Sequence, residues 1–204
     1  MVAVINDPLL EQELIDQRRR TGGDRFDEVW EGIYMMAPLA DNEHQRLAYQ
    51  LCDVLEQTVG TSGEGNVFPG VNVSDRSEDW KKNYRCPDVV YYPKDTRAEN
   101  RRTFWYGGPA FAIEIVSPGD RTREKLGFYA KVGTKELLVV DRAPWQLELY
   151  RLKGKTLVEV GRSTVERPEV LSSDAVPLTW QLVGAEGRPR VIVTHVDGQP
   201  QWTI

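Results

Sequence analysis

Ala110-Phe111-Ala112-Ile113-Glu114-Ile115-Val116-Ser117-Pro118 places one carboxylate inside an apolar run. Four apolar residues precede Glu114 and two follow it. A run this apolar reads as a strand buried on both faces. An acid inside it must be paired, protonated or bound to a metal. Upstream, Cys86-Pro87-Asp88-Val89-Val90-Tyr91-Tyr92 repeats the pattern, with Asp88 opening its own apolar strand. Side chains alternate along a strand. Glu114 therefore shares a face with Ala112 and Val116, and Asp88 with Val90 and Tyr92. If the strands are neighbours, both acids lie on one face near one sheet edge. Two carboxylates there suit a hard divalent cation such as magnesium or manganese, with a backbone carbonyl near Glu114 and water completing its shell. By burial alone, such a pair is more often a buried structural ion-pair cluster.

Downstream of the first stretch, a helix is expected from about Asp120, a good N-cap. Leu126, Tyr129 and Ala130 face inward, and Gly133 stops the helix. Lys125 lies on its first turns. Helical side chains lean toward their N-terminus, so this lysine can reach back to the acids. There it could orient water and stabilise negative charge on a phosphate; the plainer reading is a solvent-facing lysine. Residues 135–141 read as another buried strand. Strand, helix and strand in about thirty residues make a parallel crossover of right-handed sense.

Upstream, residues 1–24 read as a short polar helix ending at Thr21-Gly22-Gly23-Asp24. Residues 28–36 read as a hairpin turning at Glu31-Gly32. A loop holding Pro38 leads to a helix with Asn42 as N-cap and Gln45 completing a capping box. Leu47, Ala48, Leu51, Val54 and Leu55 form its apolar face. His44 falls on that inward face in the first turn, where a lone histidine is ordinarily a core residue. Residues 67–73 read as an edge or bulged strand interrupted at Pro69-Gly70. The connection over 93–109 carries Phe104-Trp105-Tyr106, which could stack on bases but fits packing over the core better. From Trp145 onward the pattern is strands. Lys153-Gly154-Lys155 and Asp197-Gly198 mark two hairpins.

The 204 residues suit one domain with a sizeable core. Charged residues at 28% against 40% hydrophobic exclude a disordered chain. No run approaches membrane-spanning length, and residues 1–14 show no secretory signal, so a cytoplasmic location is expected. Cys52 and Cys86 are then free thiols rather than a bridge. A net charge of -5 argues against a generic nucleic-acid coat protein but allows a local basic cleft.

At this point the residues resemble a family. Pro87-Asp88, Glu114 and Lys125 look like a variant of the PD-(D/E)-x-K nuclease signature. More closely, the chain is similar to the Uma-two family of restriction endonucleases. The resemblance rests on the hairpin of residues 28–36, Asn42-x-His44, Arg85-x-Pro87-Asp88-Val89, Glu114-Ile115-Val116-Ser117-Pro118, Lys125-x-x-x-Tyr129, and Gly133-x-x-Glu136-Leu137 running to Asp141. It covers about residues 25–160. It implies an α/β fold of restriction-endonuclease-like type, a mixed central β-sheet flanked by helices, with a β-rich C-terminal extension. Residues 1–24 would be an N-terminal helical segment, 25–160 the core, and 161–204 the extension of the same domain. It implies magnesium- or manganese-dependent hydrolysis of phosphodiester bonds, most naturally in DNA. Asp88 and Glu114 would be metal ligands, Lys125 would stand in for the superfamily lysine, and His44 would line the site. The usual lysine position, two after the acid, is Val116 here. Glu28 matches an acid of the opening hairpin, and Tyr129 and Glu136 match structural positions. A non-catalytic nucleic-acid- or protein-binding module on the same fold is the competing reading. The extra C-terminal strands could serve a homodimer.

Overall fold

The computed structural model describes residues 8–37 and 40–204. Residues 1–7 of the expected N-terminal helix and Pro38 of the expected loop lie outside them. The first part of the chain forms α1 (Pro8–Thr21), β1 (Glu28–Trp30), β2 (Ile33–Met35), α2 (Asn42–Leu55), β3 (Gly65–Pro69), β4 (Val73–Ser74) and β5 (Tyr84–Arg85). Then come β6 (Val89–Pro93), β7 (Glu99–Asn100), β8 (Trp105–Tyr106), β9 (Phe111–Ile115), α3 (Leu126–Val132) and β10 (Glu136–Arg142). The chain closes with β11 (Trp145–Lys153), β12 (Thr156–Thr164), β13 (Leu171–Ser172), β14 (Leu178–Val183), β15 (Arg190–His195) and β16 (Gln201–Thr203).

The central sheet has the order β12-β11-β10-β9-β6-β3. β9 is buried along its whole length, as its composition requires. It pairs in parallel with β10, Phe111 opposite Glu136 and Ile115 opposite Val140. It pairs antiparallel with β6, Val89 opposite Ile113. The expected crossover is therefore present, and the sheet is mixed. β3 is the edge strand, as Pro69 and Gly70 suggested.

Each face of this sheet is covered differently. On one side, Leu47, Leu51, Val54 and Leu55 of α2 pack against Val89, Phe111, Ile113 and Leu138. A second sheet, β13-β14-β15-β16, extends that same core. Leu178, Trp180 and Leu182 alternate inward along β14, and the Trp180 ring stacks on Phe111 at 5.6 Å. On the other side, Phe128, Tyr129 and Ala130 of α3 meet Val90, Tyr92, Ala112, Leu137 and Val139. A third sheet, β2-β1-β5-β4-β8-β7, borders this face. Trp105 stacks on Tyr92 at 3.8 Å and Phe104 on Trp80 at 4.7 Å, so these aromatics are spent on packing.

Two helix starts differ from expectation. The N-cap of α2 is Asp41, not Asn42: its backbone is extended and its carboxylate accepts the His44 N–H at 2.7 Å. Asn42 is the first helical residue, so the capping box with Gln45 does not form. Asp120 does not cap α3 either. Its carboxylate accepts the Ser117 N–H at 3.4 Å instead, and Thr122–Lys125 first make a 3-10 turn. Arg123 in that turn is pinned to Asp141 at 2.7 Å and Glu148 at 2.9 Å. Gly133 stops α3 with φ +86, as glycine allows. Both cysteines are free. No helix among the described residues is long and apolar enough to cross a membrane.

Candidate active site

Asp88 and Glu114 meet at the carboxyl end of β9. The antiparallel register puts Val89 opposite Ile113 and Val90 opposite Ala112, so the next step outward sets Asp88 opposite Glu114. Directly opposed residues share a face. The Asp88 carboxylate turns back onto the neighbouring strand and accepts the Ile115 N–H at 2.7 Å. Alternation in the two strands, together with their antiparallel pairing, thus sets the two acids opposite each other.

Lys125 reaches the same place from the end of the 3-10 turn. Its Nζ donates to both oxygens of Glu114, each at 3.1 Å, and to Glu28 at 3.0 Å. Lysine and both acids are buried, the lysine side chain only 9% exposed. Tyr129, one helical turn beyond Lys125, donates its hydroxyl to Glu114. Glu28 is fixed by three donors: Lys125, the Cys86 N–H at 2.9 Å and the Trp30 indole at 2.6 Å. The hairpin β1–β2, with Glu31 and Gly32 both at positive φ in its turn, carries Glu28 into the site.

His44 enters from the other face of the sheet. Its Nε2 lies 3.1 Å from the Ile115 carbonyl and 3.4 Å from the Asp88 carboxylate. Both are acceptors, so Nε2 carries the hydrogen. Burial pulls the imidazolium down, and the Asp88 hydrogen bond and charge outweigh it, leaving the His44 pKa raised.

The electrostatics are dominated by crowded acids. Burial pushes the Glu114 carboxyl up to about 8. Lys125 opposes that rise, while Asp88, Glu28 and Asp120 add to it. Burial alone would lower Lys125, but the Glu114 and Glu28 charges carry it well above its ordinary value. Burial, then Glu114 and Glu28, raise the Tyr129 phenol likewise, so it is a donor only. The Cys86 thiol is pushed up by burial and is no nucleophile.

These groups line one cavity of about 280 Å³, which Glu28, His44, Asp88, Glu114 and Lys125 all reach. Among the described residues no group of three or more histidine, cysteine, aspartate or glutamate side chains is disposed to hold a metal ion. The donor chemistry nevertheless fits a magnesium ion. Magnesium is held by one or two carboxylates and keeps several waters. The acids raising Glu114 are an excess of negative charge that such a cation would offset.

Sequence reasoning found Asp88, Glu114, Lys125 and His44, and all four converge. It left Glu28 without a role and treated Tyr129 as structural; both touch the central groups. The signal for Tyr129 was its spacing of four from Lys125. Glu28 lies 97 residues from its lysine partner, and nothing local announces that contact. Val116, at the usual lysine position, packs in the apolar cluster beside α3.

The family model Uma2, described as "Putative restriction endonuclease", matches residues 12–185. No curated protein matches the chain. Among solved structures, a "putative nuclease belonging to DUF820" from Anabaena variabilis ATCC 29413 is similar at 17% identity and a TM-score of 0.55. The match covers 72% of this chain and 80% of that one. At this identity the likeness speaks for the fold, which is the expected restriction-endonuclease-like α/β arrangement.

Proposed function

The chain belongs to the Uma2 family, and on that premise we propose that it is a magnesium-dependent endonuclease that hydrolyses phosphodiester bonds in DNA. The observation that carries this is Lys125 donating to both Glu114 and Glu28 in the cavity that also holds Asp88. Asp88 and Glu114 would hold a magnesium or manganese ion, which when bound supplies Lewis-acid charge at the scissile phosphate and a more acidic water. Lys125 stays cationic and offsets charge as the phosphate becomes more anionic; it would orient the attacking water with a donor that Glu114 now holds. Glu28 and Tyr129 keep Lys125 and Glu114 in register for that work. His44 holds the Asp88 carboxylate in place through Nε2, which the Ile115 carbonyl shares, while the Ile115 N–H donates to the same carboxylate.

The test is cleavage of labelled DNA with magnesium, manganese or chelator, repeated with Asp88→Ala, Glu114→Ala and Lys125→Ala. Chelator should abolish cleavage, and each substitution should slow it by about 100-fold or more. Cleavage that survives Glu114→Ala sinks the site. One observation favours a second reading, a binding module on the same fold: both oxygens of Glu114 are already engaged by Lys125. That reading expects binding without cleavage on any substrate.

A further inference from the structure

Charge in the cavity is ordered by depth. The acids lie on its floor, where the Glu114 side chain is only 3% exposed. Arg25 and Arg121 line the same cavity nearer solvent: Arg25 is exposed, and the Arg121 side chain is 39% exposed. Asp120 is the one exposed acid among the lining residues. The hydrolytic groups use neither arginine. Among the described residues Arg25 makes no ion pair, and Arg121 pairs with Glu124 of its own turn.

Each guanidinium is seated on an aromatic ring that is tied to a residue bearing one of the acids. That of Arg121 lies 5.2 Å from the centre of the Trp30 ring. The Trp30 ring is itself fixed, by the buried Arg85 guanidinium at 4.6 Å and by its indole N–H, which donates to Glu28. The Arg25 guanidinium lies 5.4 Å from the Phe26 ring centre. Phe26 packs on Gly70, which holds φ +56 and where a Cβ would lie 2.7 Å from the ring. The Gly70 N–H in turn donates to the Asp88 carbonyl at 3.0 Å.

From this placement we infer that Arg25 and Arg121 bind the substrate, each gripping a phosphate that neighbours the one cut. The inference rests on the nuclease reading and adds the residues that hold its DNA. A nucleic acid brings phosphates on both sides of the scissile one, and an acidic floor repels them all unless cations stand nearby. A chain of net charge -5 must supply that positive charge locally. Arginine suits the task. Its planar fork meets phosphate oxygens two at a time, and stacking on a ring fixes the fork before the substrate arrives. The pair with Glu124 is no obstacle, because an exposed ion pair is weak in water and a phosphate can replace the carboxylate.

The experiment measures fluorescence anisotropy of labelled DNA, as duplex and as single strand, over a range of potassium chloride concentrations. Calcium replaces magnesium for this binding arm, and cleavage is followed separately in magnesium. On whichever form binds, Arg25→Gln and Arg121→Gln should each reduce the slope of log affinity against log salt by about one, the loss of one phosphate contact. Arg121→Lys keeps the charge but loses the planar stack on Trp30, so it should weaken binding and leave the slope unchanged. Glu124→Gln should act in the opposite direction. It frees Arg121 and should tighten binding by about twofold to fivefold, the worth of an exposed ion pair. That gain should vanish when Arg121→Gln is added, whereas the gain from merely removing a surface acid would persist. Glu124→Gln alone carries the test if Arg121→Gln fails to fold, and no gain from it then overturns the inference. A slope unchanged in either glutamine variant also overturns it, as does a gain that survives Arg121→Gln. Unchanged slopes with cleavage in magnesium overturn it while leaving the nuclease reading in place. The expected slopes with no cleavage in magnesium uphold the arginines and overturn the nuclease reading. Absence of binding to both forms overturns both.

Discussion

Lys125 keeps Glu28 and Glu114 side by side in the interior. Replacing it with alanine leaves two buried acids facing each other without their cation. The cost is about 3–5 kcal/mol, as for other buried pairs that lose one partner, and urea unfolding of Lys125→Ala should read it directly. The same cluster predicts a pH dependence with a definite sign. The Glu114 carboxyl has an ordinary pKa of 4.5 and is raised to about 8 in the folded chain. The native state therefore binds that proton more tightly than the unfolded state. The resulting stabilisation is complete below the unfolded pKa and is lost as pH rises through the folded one. His44, also raised, acts in the same direction. Asp41, held down to about 2 by Arg142 and the His44 N–H, acts oppositely, but only in more acid solution. The melting temperature should thus fall between about pH 5 and pH 8.5, and Glu114→Gln should flatten much of that slope. A slope unchanged in Glu114→Gln would place the titrating group elsewhere.

The 3-10 turn that precedes α3 determines where Lys125 points. Arg123 ties this turn to Asp141 of β10 and Glu148 of β11. Arg123→Ala should cost about 1–3 kcal/mol, the scale of hydrogen bonds to charged groups. It should also lower activity, since the turn loses its attachment to the sheet; a variant destabilised but fully active would separate Arg123 from the site. This element also marks where sequence reading stops. β6, β9 and β10 were legible because a doubly buried strand needs an apolar run, and hairpins such as Lys153-Gly154-Lys155 because their turn chemistry is local. The start of α3 was not legible. Its tight winding accompanies contacts that Arg123 makes 18 and 25 residues further along. The N-cap of α2 was misplaced by one because Asp41 and Asn42 are both good caps. Asp41 takes the role with Arg142 also paired to it, 101 residues away. Asp88 and Glu114 were found because alternation sets them on one face if their strands pair and the family resemblance singled them out, whereas the contact of Glu28 needed the tertiary fold.

Across the whole molecule, the central and C-terminal sheets share one core. Trp180 is fully buried and stacks on Phe111, the first residue of the strand that carries Glu114. Glu136 of β10 reinforces the join, accepting from Arg151 at 2.6 Å and from the Asp174 and Ala175 N–H groups. Trp180→Ala should therefore cost about 3–5 kcal/mol. It should shift a single unfolding transition seen alike by far-ultraviolet circular dichroism and tryptophan fluorescence. Two separate transitions would show the C-terminal sheet to be independent. The shared core also bears on Val116 and Lys125. The amino group beside Glu114 comes from a separate turn, while the position two after the acid is filled by an apolar side chain. What defines the ammonium here is therefore a location in space, not an address in the chain. A pattern that demands lysine two places after the acid would pass this protein over. In this chain the ammonium is delivered by the fold of a separate turn, and the strand that carries the acid need not supply it.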